Sequence, residues 1–124
     1  MKIHVSSLSD STVSHLESAA HDLIQVGSTV TLTGHATKRA RDKHITEGEV
    51  LACIMEGSLV EVIIKWFGPT RVLLRNVDGV CCVVEMETGT VITVYRNEPR
   101  DEHRTLDTSQ YAFYGRRVEL SDLP

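Results

Sequence analysis

The sequence predicts an α+β domain in which N-terminal helices pack on one face of a four-stranded antiparallel sheet. Three observations lead there. Apolar residues recur at helical spacing through the first half of the chain. β-branched and apolar runs fill residues 58–96, and the Gly-containing breaks between them are short enough to join only antiparallel neighbours. The 124 residues suit a single domain with one core. Within it we distinguish an N-terminal strand and helix over 1–28, a core over 29–96, and a charged and aromatic tail over 97–124.

Taken in order, Lys2 to Val5 alternate polar and apolar residues and could add an edge strand. Ser9-Asp10-Ser11 then offers several N-caps. Val13, Leu16, Ala20, Leu23 and Ile24 follow at helical spacing until Gly27 ends the pattern. His15 and His21 fall off that stripe and are expected in solvent. Thr29 to Thr33 alternates with period two and reads as a short strand broken by Gly34. His35 to His44 favours helix. Thr46, with Glu49 three residues on, forms a capping-box pattern that opens a second helix carrying Val50, Leu51, Ile54 and Met55 and ending at Gly57. Cys53 lies near the apolar side of that helix and is expected in the core.

The rest reads as a meander. Strands are expected at Ser58–Phe67, Arg71–Val77, Val80–Glu87 and Thr90–Arg96, broken at Gly68-Pro69, Asp78-Gly79 and Thr88-Gly89. Asp78-Gly79 is a two-residue hairpin signal. The helices come first, so they must cover one face of this sheet. Trp66 and Phe67 are expected to pack at the core or turn. An exposed edge at Ser58–Phe67 would let the chain pair as a homodimer. Beyond Asn97, Glu98 to Arg104 is charged and without period, and Tyr111, Phe113 and Tyr114 follow, rings that either dock or await a partner.

The apolar stretches are too short to span a bilayer, and the N-terminus turns polar at Ser6, so neither a membrane segment nor a signal segment is expected. Of three cysteines, Cys81 and Cys82 are adjacent. Strand neighbours point to opposite faces, so they are expected as separate reduced thiols in a cytoplasmic protein. No paired ligands at zinc spacing occur, and no metal or cofactor is expected.

The formal net charge is −4, which argues against indiscriminate coating of nucleic acid. Yet Lys38, Arg39, Arg41 and Lys43 fall within six residues, flanked by His35 and His44. This is either a solvated helix face or a local phosphate site. Gly-rich phosphate loops, nucleophile elbows and helical metal-binding His pairs are all missing from the sequence. What remains is a constellation. His35 opens a helix and Arg39 sits one turn further on the same side. Thr93 and Tyr95, two apart on the last strand, share a face, with Thr90 on the other if that strand is regular.

Gly34-His35-Ala36-Thr37-Lys38-Arg39, then Lys43-His44-Ile45-Thr46-Glu47-Gly48-Glu49-Val50, resembles a small family of uncharacterised bacterial and phage domains with the pattern His-Ala-x-x-Arg, a basic residue four on, and Ile-x-x-x-x-Val. The family's closing Val-x-Thr-x-Tyr strand is matched by Val91-Ile92-Thr93-Val94-Tyr95. Its layout is similar to the barnase–EndoU–colicin–RelE superfamily of metal-independent ribonucleases and RNase toxins. The resemblance spans about residues 29–96. Two positions depart from it, Lys43 where the family has Arg and His44 where it has Gly.

The resemblance implies an RNase toxin-like core and an endoribonuclease that cuts RNA by attack of the ribose 2′-OH on its neighbouring phosphate. His35 would be the acid–base group and Arg39 the stabiliser of phosphorane charge. Thr93 would donate to a phosphoryl oxygen, and Tyr95 would stack on a base or act as the second acid. Lys38, Arg41, Lys43 and His44 would bind the RNA backbone. The alternative is a non-catalytic phage or bacterial regulator that binds and inhibits a host protein, in keeping with the acidic balance and the aromatic tail.

Overall fold

A computed structural model describes residues 1–24, 29–65, 70–97 and 108–123. The elements run β1 (Lys2–His4), a short 3-10 turn, α1 (Asp10–His21), α2 (Gly34–Asp42), α3 (Glu47–Glu56), β2 (Ser58–Ile63), β3 (Arg71–Arg75), β4 (Val80–Glu85) and β5 (Val91–Arg96). The sheet is antiparallel with strands in chain order, β1 to β5. It therefore has five strands rather than four, because Lys2–His4 pairs fully with Glu61–Ile63. That pairing places β2 inside the sheet. The edge expected at Ser58–Phe67 is thus covered, and the two edges are β1 and β5.

All three helices serve one face. Ile3, Leu59, Val62, Val72, Leu74, Cys82, Val84, Val91 and Val94 point from the strands into a core shared with Leu16 and Ala20 of α1, Ala36 of α2, and Val50, Cys53 and Ile54 of α3. Ser9 caps α1 by accepting from Thr12 N–H, and Thr46 and Glu49 close the expected capping box on α3. Gly57 ends α3 in extended conformation, not a left-handed one. A Cβ there would run into the Cys53 carbonyl oxygen, so sterics select the glycine.

Several expectations need correction. The Thr29–Thr33 strand is reduced to a single parallel bridge from Leu32 to Val91. Its polar groups have other tasks: Thr33 Oγ1 accepts from Ala36 N–H to cap α2 and donates to the Ile92 carbonyl. Helix α1 stops at His21, short of Gly27, which lies outside the described residues, as do Gly68-Pro69, Trp66 and Phe67, and Glu98 to Arg104. His21 is not free in solvent, since its Nε2 donates to the Gly57 carbonyl at 2.8 Å. The β3–β4 hairpin has a three-residue loop, not two. Asn76 N–H bonds the Val80 carbonyl, Gly79 takes φ +84, and Val77 is 94% exposed outside the strand.

The opposite sheet face carries no helix among the described residues. Leu73, Cys81 and Val83 form its buried centre, with Val60, Ile63, Ile92 and Tyr95 around them. Cys81 and Cys82 take opposite faces as free thiols, as adjacent strand residues must. No described helix is long and apolar enough to cross a membrane.

Candidate functional site

Helix α2 runs alongside β5. Thr33 ties its start to Val91 and Ile92, while the Arg96 guanidinium reaches the Lys43 and His44 carbonyls at its end. Only Ala36 of the helix is fully buried. His35, Lys38, Arg39, Arg41 and Lys43 are all exposed, and so is His44. Among the described residues the ion pairs are Lys2–Glu61, Arg71–Glu85 and Arg96–Glu49. None of the cations on α2 takes part. Glu49, the nearest acid in α3 to the end of α2 in sequence after Glu47, is held by Arg96 at 2.9 Å.

At 100° per residue, His35 and Arg39 share one flank of α2, and Thr37, Ala40 and Arg41 take the other. His44 follows the helix at φ +54, the left-handed region that favours glycine.

Thr93 and Tyr95 lie on the helix-free face, opposite Val83 and Cys81. A bulge between Val83 and Val84 breaks the strand's alternation, so Val91 enters the core while Thr93, two residues on, faces the other way. Burial keeps the Tyr95 phenol protonated well above the usual range, reinforced by the Cys81 thiol and the Glu61 carboxylate. Among the described residues, no hydrogen bond or ion pair joins His35 or Arg39 to Thr93 or Tyr95. The structure thus groups the α2 residues together and Thr93 with Tyr95, as two separate clusters.

No known family model, curated protein or solved structure matches this chain.

Sequence reading passed over two features. The first is Glu61, 7% exposed in the middle of β2. Its Oε1 accepts from the Tyr111 hydroxyl at 3.1 Å, Lys2 Nζ stands 3.9 Å from Oε2, and Oε2 accepts no hydrogen bond. This contact holds the C-terminal segment on β1, together with the Lys2–Tyr111 bridge and the bond from Ala112 N–H to the Lys2 carbonyl. Burial and then Glu61 raise the Tyr111 phenol to about 12. Of the three tail rings, Tyr111 docks, whereas Phe113 and Tyr114 remain 46% and 47% exposed. The partners are fifty residues apart, and no local pattern joins them.

The second is a groove of about 420 Å³ between α2 and α3, lined by Val30, Leu32, Thr37, Ala40, Ile45, Glu47 and Val50. Its signal in the sequence is faint. Thr37 and Ala40 are small residues on one flank of an otherwise long-chained helix, and they leave the space open.

Proposed function

We propose that the protein binds RNA through the exposed basic face of α2. One observation carries this reading. Four cations, Lys38, Arg39 and Arg41 on one short helix and Lys43 at its C-cap, have no carboxylate partner among the described residues, in a chain of net charge −4. Of the acids nearby, Glu49 is held by Arg96 and Glu47 bonds the Val30 N–H, which leaves Asp42 as the one acid among the four cations. Such a patch attracts phosphates and releases counterions on binding.

The catalytic form of this reading is metal-independent cleavage. His35 would take the 2′-OH proton, the 2′-oxygen would bond to phosphorus, and the P–O5′ bond would break with a proton passing to the 5′-oxygen. Arg39, one turn away, would neutralise the phosphorane. Tyr95 and Thr93 lie on the other face of the sheet, so this form of the reading rests on His35 and Arg39. The RNase toxin-like comparison rests on the sequence motif.

Two measurements test the proposal. Anisotropy of a labelled single-stranded RNA should show a salt slope of about −3 for four neutralised phosphates, at ~0.7 each. The slope should collapse when all four cations become alanine. Incubation of RNA with a chelator should yield 2′,3′-cyclic ends with wild type and none with His35→Ala. Binding without cleavage leaves an RNA-binding protein; no binding removes the reading.

A second reading, a regulator that binds a host protein, draws on a different observation. The exposed rings of Phe113 and Tyr114 sit on a turn fixed at both ends, with Phe113 itself at φ +60. Exposed aromatic residues beside Arg116 and Arg117 are the residue types that anchor protein interfaces. Absence of RNA binding in the experiment above would favour it.

A further inference from the structure

The groove between α2 and α3 has an unusual hydrogen-bonding character. Its floor is apolar, made by Val30, Leu32, Ala40, Ile45 and Val50, and its two polar side chains are Thr37 and Glu47. Thr37 spends its one hydroxyl proton on the Thr33 carbonyl, at 3.0 Å. Glu47 accepts from Val30 N–H at 3.3 Å through Oε1, and Oε2 makes no hydrogen bond among the described residues. Both groups therefore meet a ligand as acceptors only. Arg41, one turn beyond Thr37 on the same flank, adds a cation nearby.

We propose that this groove is a nucleobase site that selects bases bearing an exocyclic amine, adenine, cytosine and guanine, over uracil. A base ring can lie on the groove's apolar floor, and a volume of about 420 Å³ lies within the ~300–1,000 Å³ usual for small-ligand sites. Single-stranded RNA is read through splayed bases hydrogen-bonded on their edges. An amino group satisfies the Glu47 carboxylate, as acidic side chains do with cytosine N4. Uracil offers a single N3–H proton flanked on both sides by carbonyl oxygens that would face acceptors, so it fits less well than a base whose amine brings two protons. Arg41 supplies the phosphate contact and disfavours a cationic amine as occupant. The proposal rests on the RNA reading above and gives it a base preference.

The test is titration of the labelled protein with AMP, CMP, GMP and UMP, followed by amide NMR shifts, beside anisotropy with homopolymeric RNAs of equal length. The expected result is saturable shifts at Val30, Thr37 and Glu47, with the amine-bearing nucleotides roughly tenfold tighter than UMP. Glu47→Gln, which restores a donor while keeping an acceptor for Val30 N–H, should erase that preference. Ala40→Leu, which fills the slot, should abolish the shifts while the salt-dependent binding of RNA persists. Undiminished thermal unfolding checks that both variants fold. Equal affinity for all four nucleotides, or a preference that survives Glu47→Gln, overturns the base site and leaves RNA binding intact. Loss of all RNA and nucleotide binding overturns both.

Discussion

Helices α2 and α3 are consecutive, similar in length and packed against the same face of one sheet, yet they are made of opposite materials. α3 buries Val50, Cys53 and Ile54, and its composition is explained by what it packs on. α2 buries only Ala36 and turns its long side chains outward. A helix needs more apolar area than one alanine to hold itself in place. α2 is retained by backbone and cap instead, through Thr33, Ile45 N–H on the Ala40 carbonyl, and Arg96 at its end. Where packing does not account for a segment's residues, their chemistry is the remaining explanation.

The largest expected effect breaks the core side of this contrast. Ile54 is fully buried, and Ile54→Ala should cost about 2–5 kcal/mol in denaturant unfolding. Replacing Lys38 and Arg41 together should move stability by only about 0.5 kcal/mol each way. A large loss in the α2 double variant would show that its cations are structural, and the contrast would fail.

Next come the caps. Thr46→Ala removes the capping box of α3 and should cost about 1 kcal/mol. Thr33→Ala should cost at least as much, because the same hydroxyl also reaches Ile92 across the α2–β5 contact. The Glu49 carboxyl is held below its ordinary 4.5, first by the Thr46 backbone N–H and then by Arg96. A depressed folded value means that its stabilisation is present above pH 4.5 and is lost as pH falls through the folded value. Glu49→Gln should flatten that part of the acid-unfolding profile.

The C-terminal segment gives a smaller, alkaline effect. Tyr111 is raised to about 12, so its contribution is complete below the free phenol value near 10 and is lost between there and 12. Tyr111→Phe should remove this alkaline dependence, measured as unfolding free energy against pH. An unchanged profile would assign the loss to another phenol, with Tyr95 the first alternative.

Much of this fold was legible because its signals are local. The Thr46–Glu49 box, the β-branched runs and the glycine at 79 each act within a few residues. What escaped depends on contacts distant in sequence. The edge strand that alternation allowed at Lys2–Val5 forms over Lys2–His4, but its partner Glu61–Ile63 was not legible, and Thr29–Thr33 fails as a strand because Thr33 is taken by a helix start. The bulge facing Val83 and Val84 reverses the face that alternation assigns to β5. For the candidate site, the basic cluster was readable as composition. The groove was not, since its walls come from three separate segments and its character depends on which protons are already spent.

The smallest effect concerns the junction between the two helices. His44 holds φ +54, a conformation that costs an L-residue roughly 1–2 kcal/mol. Glycine removes that cost but loses about 0.5–1 kcal/mol of its own through chain entropy. His44→Gly should therefore raise stability by about 0.5–1 kcal/mol, and the Arg96 bond to the residue-44 carbonyl survives because it is backbone. RNA affinity supplies the second reading. If the variant is more stable and binds RNA less well, the imidazole is kept at a strained position for what it contacts, the pattern of strain held at functional sites. If it is more stable with affinity unchanged, His44 drops out of the RNA-binding set and the α2 surface ends at Lys43.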